Sequence, residues 1–115
     1  MTAEIRLADG FLLCHAGVAD TFRTRGIGLL GRKSLAEDVG LLIQPCTSVH
    51  TMFMCFPIDV IYLDKNDTVV KTVRNMKTFR MSMGGREAKK VLELPAGTLD
   101  RHGIVAGTPL KIRGV

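Results

Sequence analysis

The chain has 115 residues, the usual size of one domain, with 46% hydrophobic and 23% charged residues. That balance excludes a disordered chain, and no apolar run approaches the roughly 20 residues that a membrane-spanning helix needs. A net charge of +5 favours solubility and anionic partners but does not select a fold.

In chain order, Glu4–Cys14 holds two short apolar stretches around Asp9-Gly10, a dipeptide that joins strands in hairpins. From Val18 to Leu30 the alternation stops. Asp20 or Thr21 caps a short predicted helix that breaks near Gly26, ahead of a tight Gly28–Arg32 segment. Ser34 and Glu37 have the spacing of a capping box for one further turn. Gly40–Ile43 is a predicted buried strand ended by Pro45. Val49–Phe56 and Ile58–Asp64 are apolar and β-branched, as strands are, and Lys65-Asn66-Asp67 turns the chain into a strand at Thr68–Val73. Met76–Lys90 is polar and basic without a period, which predicts a long loop. Val91–Leu94 is a short strand, Pro95-Ala96-Gly97 a turn, and Leu110–Arg113 a last strand.

The expectation is a single globular domain over residues 1–115, mainly β: a sandwich or barrel-like fold of about seven or eight short strands with one or two short helices. Cys14, Cys46 and Cys55 are odd in number and lack CxxC spacing, which fits reduced thiols better than a disulfide framework. Phe11–Cys14 is too short for the apolar part of a secretory signal and follows acidic residues, so a cytoplasmic location is expected.

Several segments resemble one family. Gly28-Leu29-Leu30-Gly31-Arg32 is similar to its Gly-Leu-Met-Gly-Arg element. His50-Thr51-Met52-Phe53-Met54 followed by Pro57–Asp64 is similar to its central signature. Val91–Gly97 and Gly107 resemble its C-terminal pattern. The family is domain of unknown function 192, and the resemblance runs over nearly the whole chain. It implies a β-rich single domain and carries no established activity. Leu30 replaces a common Met and Cys55 a common basic residue, which weakens an anion site within the central signature. Many members of the family carry secretion signals, which this sequence does not show.

Four residues with ligand or catalytic chemistry, Cys46, His50, Cys55 and Asp59, fall within fourteen positions. Their spacing matches no common zinc finger, and strand alternation turns His50 and Cys55 to opposite faces, so no metal or other cofactor is expected. Asp59, between Ile58 and Val60, needs hydrogen bonds or a cationic partner if it is buried. Three functional readings follow. The first is a non-catalytic module with a polar pocket near Arg32, His50 and Asp59, Cys46 beside it, for a small-molecule or peptide ligand. The second is an enzyme with Cys46 as nucleophile and His50 as base, Asp59 orienting the imidazole. The third is nucleic-acid binding through the basic Lys71–Lys90 segment, where Lys71, Arg74, Lys77 and Arg80 recur every three residues. Extended backbone scatters such a spacing and Phe79 is the one aromatic residue there, so nucleic acid is not favoured. Whether the chain is an enzyme stays open at this point, and so does its oligomeric state.

Overall fold

A turn at Asp9-Gly10 starts the architecture. Gly10 takes φ 93°, a left-handed conformation that glycine adopts without a Cβ clash, and the Asp9 carboxylate accepts the Phe11 amide at 2.9 Å. This turn folds β1 (Thr2–Leu7) onto β2 (Leu12–Ala19) as an antiparallel hairpin. The computed structural model of the protein describes residues 2–19, 35–51 and 54–114. The helix predicted after Asp20, the Gly28–Arg32 segment and Arg32 itself lie outside the described residues.

Further along run β3 (Val39–Ile43), β4 (Ser48–His50), β5 (Ile58–Leu63), β6 (Val69–Met76), β7 (Met81–Met83) and β8 (Lys90–Pro95). A short helix α1 (Thr98–His102) and β9 (Leu110–Gly114) complete them. Seven strands form one curled sheet in the order β6-β5-β8-β3-β2-β1-β9, a half-barrel, and β4 pairs with β7 as a separate ribbon. The β2–β3 pair is parallel and the other pairs are antiparallel. At one corner the two ends of the sheet approach: Thr68 bridges Pro109, and the Val69 amide donates to Thr108 at 2.9 Å.

Apolar residues cover both faces of the middle strands, so β5 is buried along its whole length. One face carries Ile5, Leu42, Ile61, Leu63, Leu92 and Leu94, closed by Leu99 of α1 and by Ile104. The other carries Ile43, Ile58, Val60, Tyr62 and Val91, covered by Val49 and Met54 near the ribbon. Each fully buried side chain of this size contributes about 1.5–3 kcal/mol by leaving water. Cys14 belongs to the first face, where burial, with Asp38 adding to it, pushes its thiol up to about 12.

Three expectations need correcting. The strand expected over Val49–Phe56 is described only as β4, Ser48–His50, because Thr51 leaves the ladder to bond residues 77–80. The loop over Met76–Lys90 contains β7, whose strand character comes from pairing with β4. The turn at Pro95-Ala96-Gly97 leads straight into α1. The first two corrections concern the neighbourhood of the functional surface.

Candidate functional site

Asp59 is fully buried and committed to the backbone. Its Oδ1 accepts the Asn75 amide at 2.7 Å, and its Oδ2 accepts the amides of Gly97 at 3.1 Å and Leu99 at 2.8 Å. Asn75 has φ 50° and lies at an irregularity in the β5–β6 register. Asp59 therefore fastens the end of β6 to the start of α1, where the Gly97 cap position supplies no side-chain bond of its own. A carboxylate with this many amide donors is a structural tie.

Neither Cys46 nor His50 supplies a described bond to that tie. His50 is exposed on β4 and makes no side-chain hydrogen bond or ion pair among the described residues. Cys46 is half-buried before β4 and donates its thiol to the Ser48 carbonyl at 3.0 Å. No described hydrogen bond joins Asp59 to His50, and Arg32 lies outside the described residues. Among the described residues, no cluster of three or more His, Cys, Asp or Glu side chains is placed to hold a metal ion.

The basic residues behave differently from the scattering expected of them. Lys71 and Arg74 on β6, Lys77 and Arg80 on the following turn, and Met81, Ser82 and Met83 of β7 line one groove of about 560 Å³. Val73, Asn75 and Met76 complete its described lining, in which no carboxylate contributes. The backbone bends around the space between two strands, so the four cations face a common volume. Lys71 spans the gap: its ammonium donates to the Met83 carbonyl at 2.6 Å and lies 5.9 Å from the Tyr62 ring centroid. Arg74 pairs with Asp100 at 3.3 Å on the exposed rim, an ion pair that water screens.

Thr51 sets the shape of the turn that carries Lys77 and Arg80. It is fully buried, its hydroxyl donates to the Lys77 carbonyl at 2.5 Å, and the same oxygen accepts the Arg80 amide at 2.9 Å. Its backbone adds two bonds to the same turn, donating to Arg80 at 2.8 Å and accepting from Phe79 at 3.0 Å, and its carbonyl also accepts the Met54 amide at 3.2 Å. This frame holds Phe79 at φ 58°, a conformation rare for a bulky residue, with its side chain 55% exposed. Met81 and Met83 are exposed by 76% and 67%, so the basic groove has an apolar rim. Two other described grooves mix signs: Glu37 and Asp38 face Arg101 in one, and Asp64 and Glu87 face Arg86 and Lys89 in another. Beside Lys65, Lys89 and Lys90 a third is open, but Lys90 is ion-paired with Asp67.

Beneath the ribbon lies a polar cluster that the sequence analysis did not single out. Glu93, 4% exposed in the middle of β8, stands between Leu41 and Val60 on neighbouring strands. Burial pushes its carboxyl up to about 7. The Tyr62 hydroxyl is buried without a hydrogen bond of normal geometry among the described residues. Burial raises its pKa; Ser82 opposes the shift, Cys46 adds to it, the Val49 backbone opposes it and Glu93 adds to it. An acid within the apolar run Val91–Leu94 was the signal for this cluster, and β8 at the centre of the sheet is what buries it.

The chain matches the model of the family called domain of unknown function 192, described as "Uncharacterized ACR", over residues 5–112. UPF0127 protein PF1050 of Pyrococcus furiosus is 34% identical over 98 residues, covering 81% of this chain and 82% of the relative. UPF0127 protein PH1112 of Pyrococcus horikoshii is 35% identical over 83 residues, covering 70% and 71%. Among solved structures, a Sinorhizobium meliloti protein provisionally described as a transcription regulator superposes with a TM-score of 0.84 at 23% identity, covering 96% of this chain and 91% of that one. A protein of unknown function from Novosphingobium aromaticivorans gives 0.83 at 19% identity, covering 96% and 84%. At those identities the two structures show a shared fold. No helix among the described residues is long and apolar enough to cross a membrane.

Proposed function

The chain belongs to the domain of unknown function 192 family, for which no specific function is established, and on that premise we propose that it is a non-catalytic binding module for an anionic ligand. The ligand site is the β6–β7 groove. One observation carries the reading: Lys71, Arg74, Lys77 and Arg80 converge on a single groove with no carboxylate among its described lining residues. A concave surface lined by one sign of charge concentrates the opposite charge, and its field is damped by salt. Arg74 is ion-paired with Asp100 and the Lys71 ammonium is already bonded to the Met83 carbonyl, so Lys77 and Arg80 are assigned the principal contacts. Lys71 and Arg74 already have partners and add to the field.

Catalysis by Cys46 and His50 finds less support, since His50 hydrogen-bonds to nothing among the described residues and a nucleophile needs its base within reach. The direct test is an amide NMR titration with inorganic tripolyphosphate. Shifts confined to residues 71–83 and abolished by added salt are expected. Shifts centred on Cys46 and His50, or none anywhere, would overturn the proposal.

A further inference from the structure

We infer that the natural occupant of this groove is an extended acidic peptide that adds as a strand between β6 and β7, an inference that rests on the anion-binding reading above. Charge alone does not distinguish a peptide from a nucleic acid; the backbone does. β6 is the terminal strand of the large sheet, and after the bridge from Thr68 to Pro109 its outer edge meets no strand among the described residues. β7 belongs to a two-stranded ribbon, so the edge it turns away from β4 is also unpaired there. The groove lined by both strands is thus bordered by two open edges, each presenting N–H and C=O groups in alternation. The Met83 carbonyl already takes a donor from the groove side, the Lys71 ammonium.

A phosphate backbone offers acceptors along its length and leaves carbonyl oxygens of such an edge unanswered. A peptide strand offers both donors and acceptors and can pair with both edges. No aromatic ring is among the described residues that line the groove, whereas single-stranded nucleic acids bind by stacking on such rings. Its rim instead carries the exposed thioethers of Met81 and Met83, which suit adaptable contacts with apolar side chains. Carboxylates in alternation with apolar residues match this lining, the acids meeting Lys77 and Arg80 and the apolar side chains meeting Val73 and the methionines.

The test uses fluorescence anisotropy with the full chain and four probes: a labelled ten-residue peptide of alternating Glu and Val, two versions of that peptide with every second amide N-methylated, and a fifteen-nucleotide oligothymidylate. The two methylated peptides, on odd or on even residues, address the two edges separately. The expected result is saturable binding of the plain peptide, at least tenfold weaker binding of each methylated one, and at least tenfold loss in a Lys77→Ala, Arg80→Ala variant. Equal binding of plain and methylated peptides would overturn the strand reading and leave anion binding standing. Binding of oligothymidylate with no binding of the peptide would do the same. Absence of binding by all probes would overturn both readings.

Discussion

Thr51 and Arg80 bond in both directions, Thr51 donating its amide to the Arg80 carbonyl at 2.8 Å and Arg80 donating its amide to the Thr51 hydroxyl oxygen at 2.9 Å. Because Thr51 also donates its hydroxyl to Lys77, one buried side chain fixes the backbone beneath both principal cations of the groove. Thr51→Val keeps the shape and removes the hydroxyl, at a cost of about 1–3 kcal/mol for the bonds left unmade. Anion affinity should fall several-fold in protein that is still folded, and Thr51→Ser should restore it. Equal affinity in Thr51→Val and the parent protein, measured by titration calorimetry, would show that Thr51 serves folding alone.

Asp59 should matter for stability and little for ligand binding. Asp59→Ala leaves the amides of Asn75, Gly97 and Leu99 without their acceptor, and each buried unsatisfied donor costs about 1–3 kcal/mol. Chemical denaturation should show a loss of at least about 3 kcal/mol, with Asp59→Asn intermediate because its amide retains one acceptor oxygen. A fully stable Asp59→Ala protein that fails to bind anions would return Asp59 to the ligand site.

Glu93 gives stability a pH dependence of defined sign. Its carboxyl titrates at about 7 in the folded chain against 4.5 for the ordinary group, so the folded state holds the proton more tightly than the unfolded state. Its stabilising contribution is complete below pH 4.5, declines as pH rises towards about 7 and changes no further above that. The loss over this window is about 3 kcal/mol. Glu93→Gln should remove this slope in denaturation experiments between pH 4.5 and 8. An unchanged slope in the variant would assign the titration to other groups.

Gly84 is required by contact with Tyr62. A Cβ at this position would stand 2.3 Å from Cδ1 of the Tyr62 ring and 2.6 Å from the Ala88 Cβ, inside any normal contact. The ring is fully buried and cannot swing away, so Gly84→Ala should destabilise by about 1–3 kcal/mol. A melting temperature equal to that of the parent protein would mean that this wall of the ribbon yields freely.

The elements that local chemistry dictates were legible in the sequence. Asp9-Gly10 placed the first hairpin, a β-branched run placed β5, short apolar runs placed β3 and β8, and the approximate strand number followed from the turn signals. β7 was missed because two of its three residues, Met81 and Met83, are exposed, so no apolar alternation marks it. α1 was missed for a different reason. It has five residues, and its capping carboxylate is Asp59, almost forty positions earlier in the chain. The basic residues were visible as a charge run, but their convergence depends on Thr51 bending residues 77–80 back towards β6. Asp59 was correctly read as needing hydrogen bonds, and its partners proved to be backbone amides, which carry no sequence signature.

The central claim, that the β6–β7 groove binds anions through Lys77 and Arg80, is tested most directly by titration calorimetry of inorganic tripolyphosphate into the parent protein and into a Lys77→Ala, Arg80→Ala variant. Both side chains project from the surface, so the variant should melt with the parent. At least tenfold weaker binding is expected in the variant, and a steady loss of affinity with added salt in the parent. Equal affinity in the two proteins, or binding indifferent to salt, would contradict it.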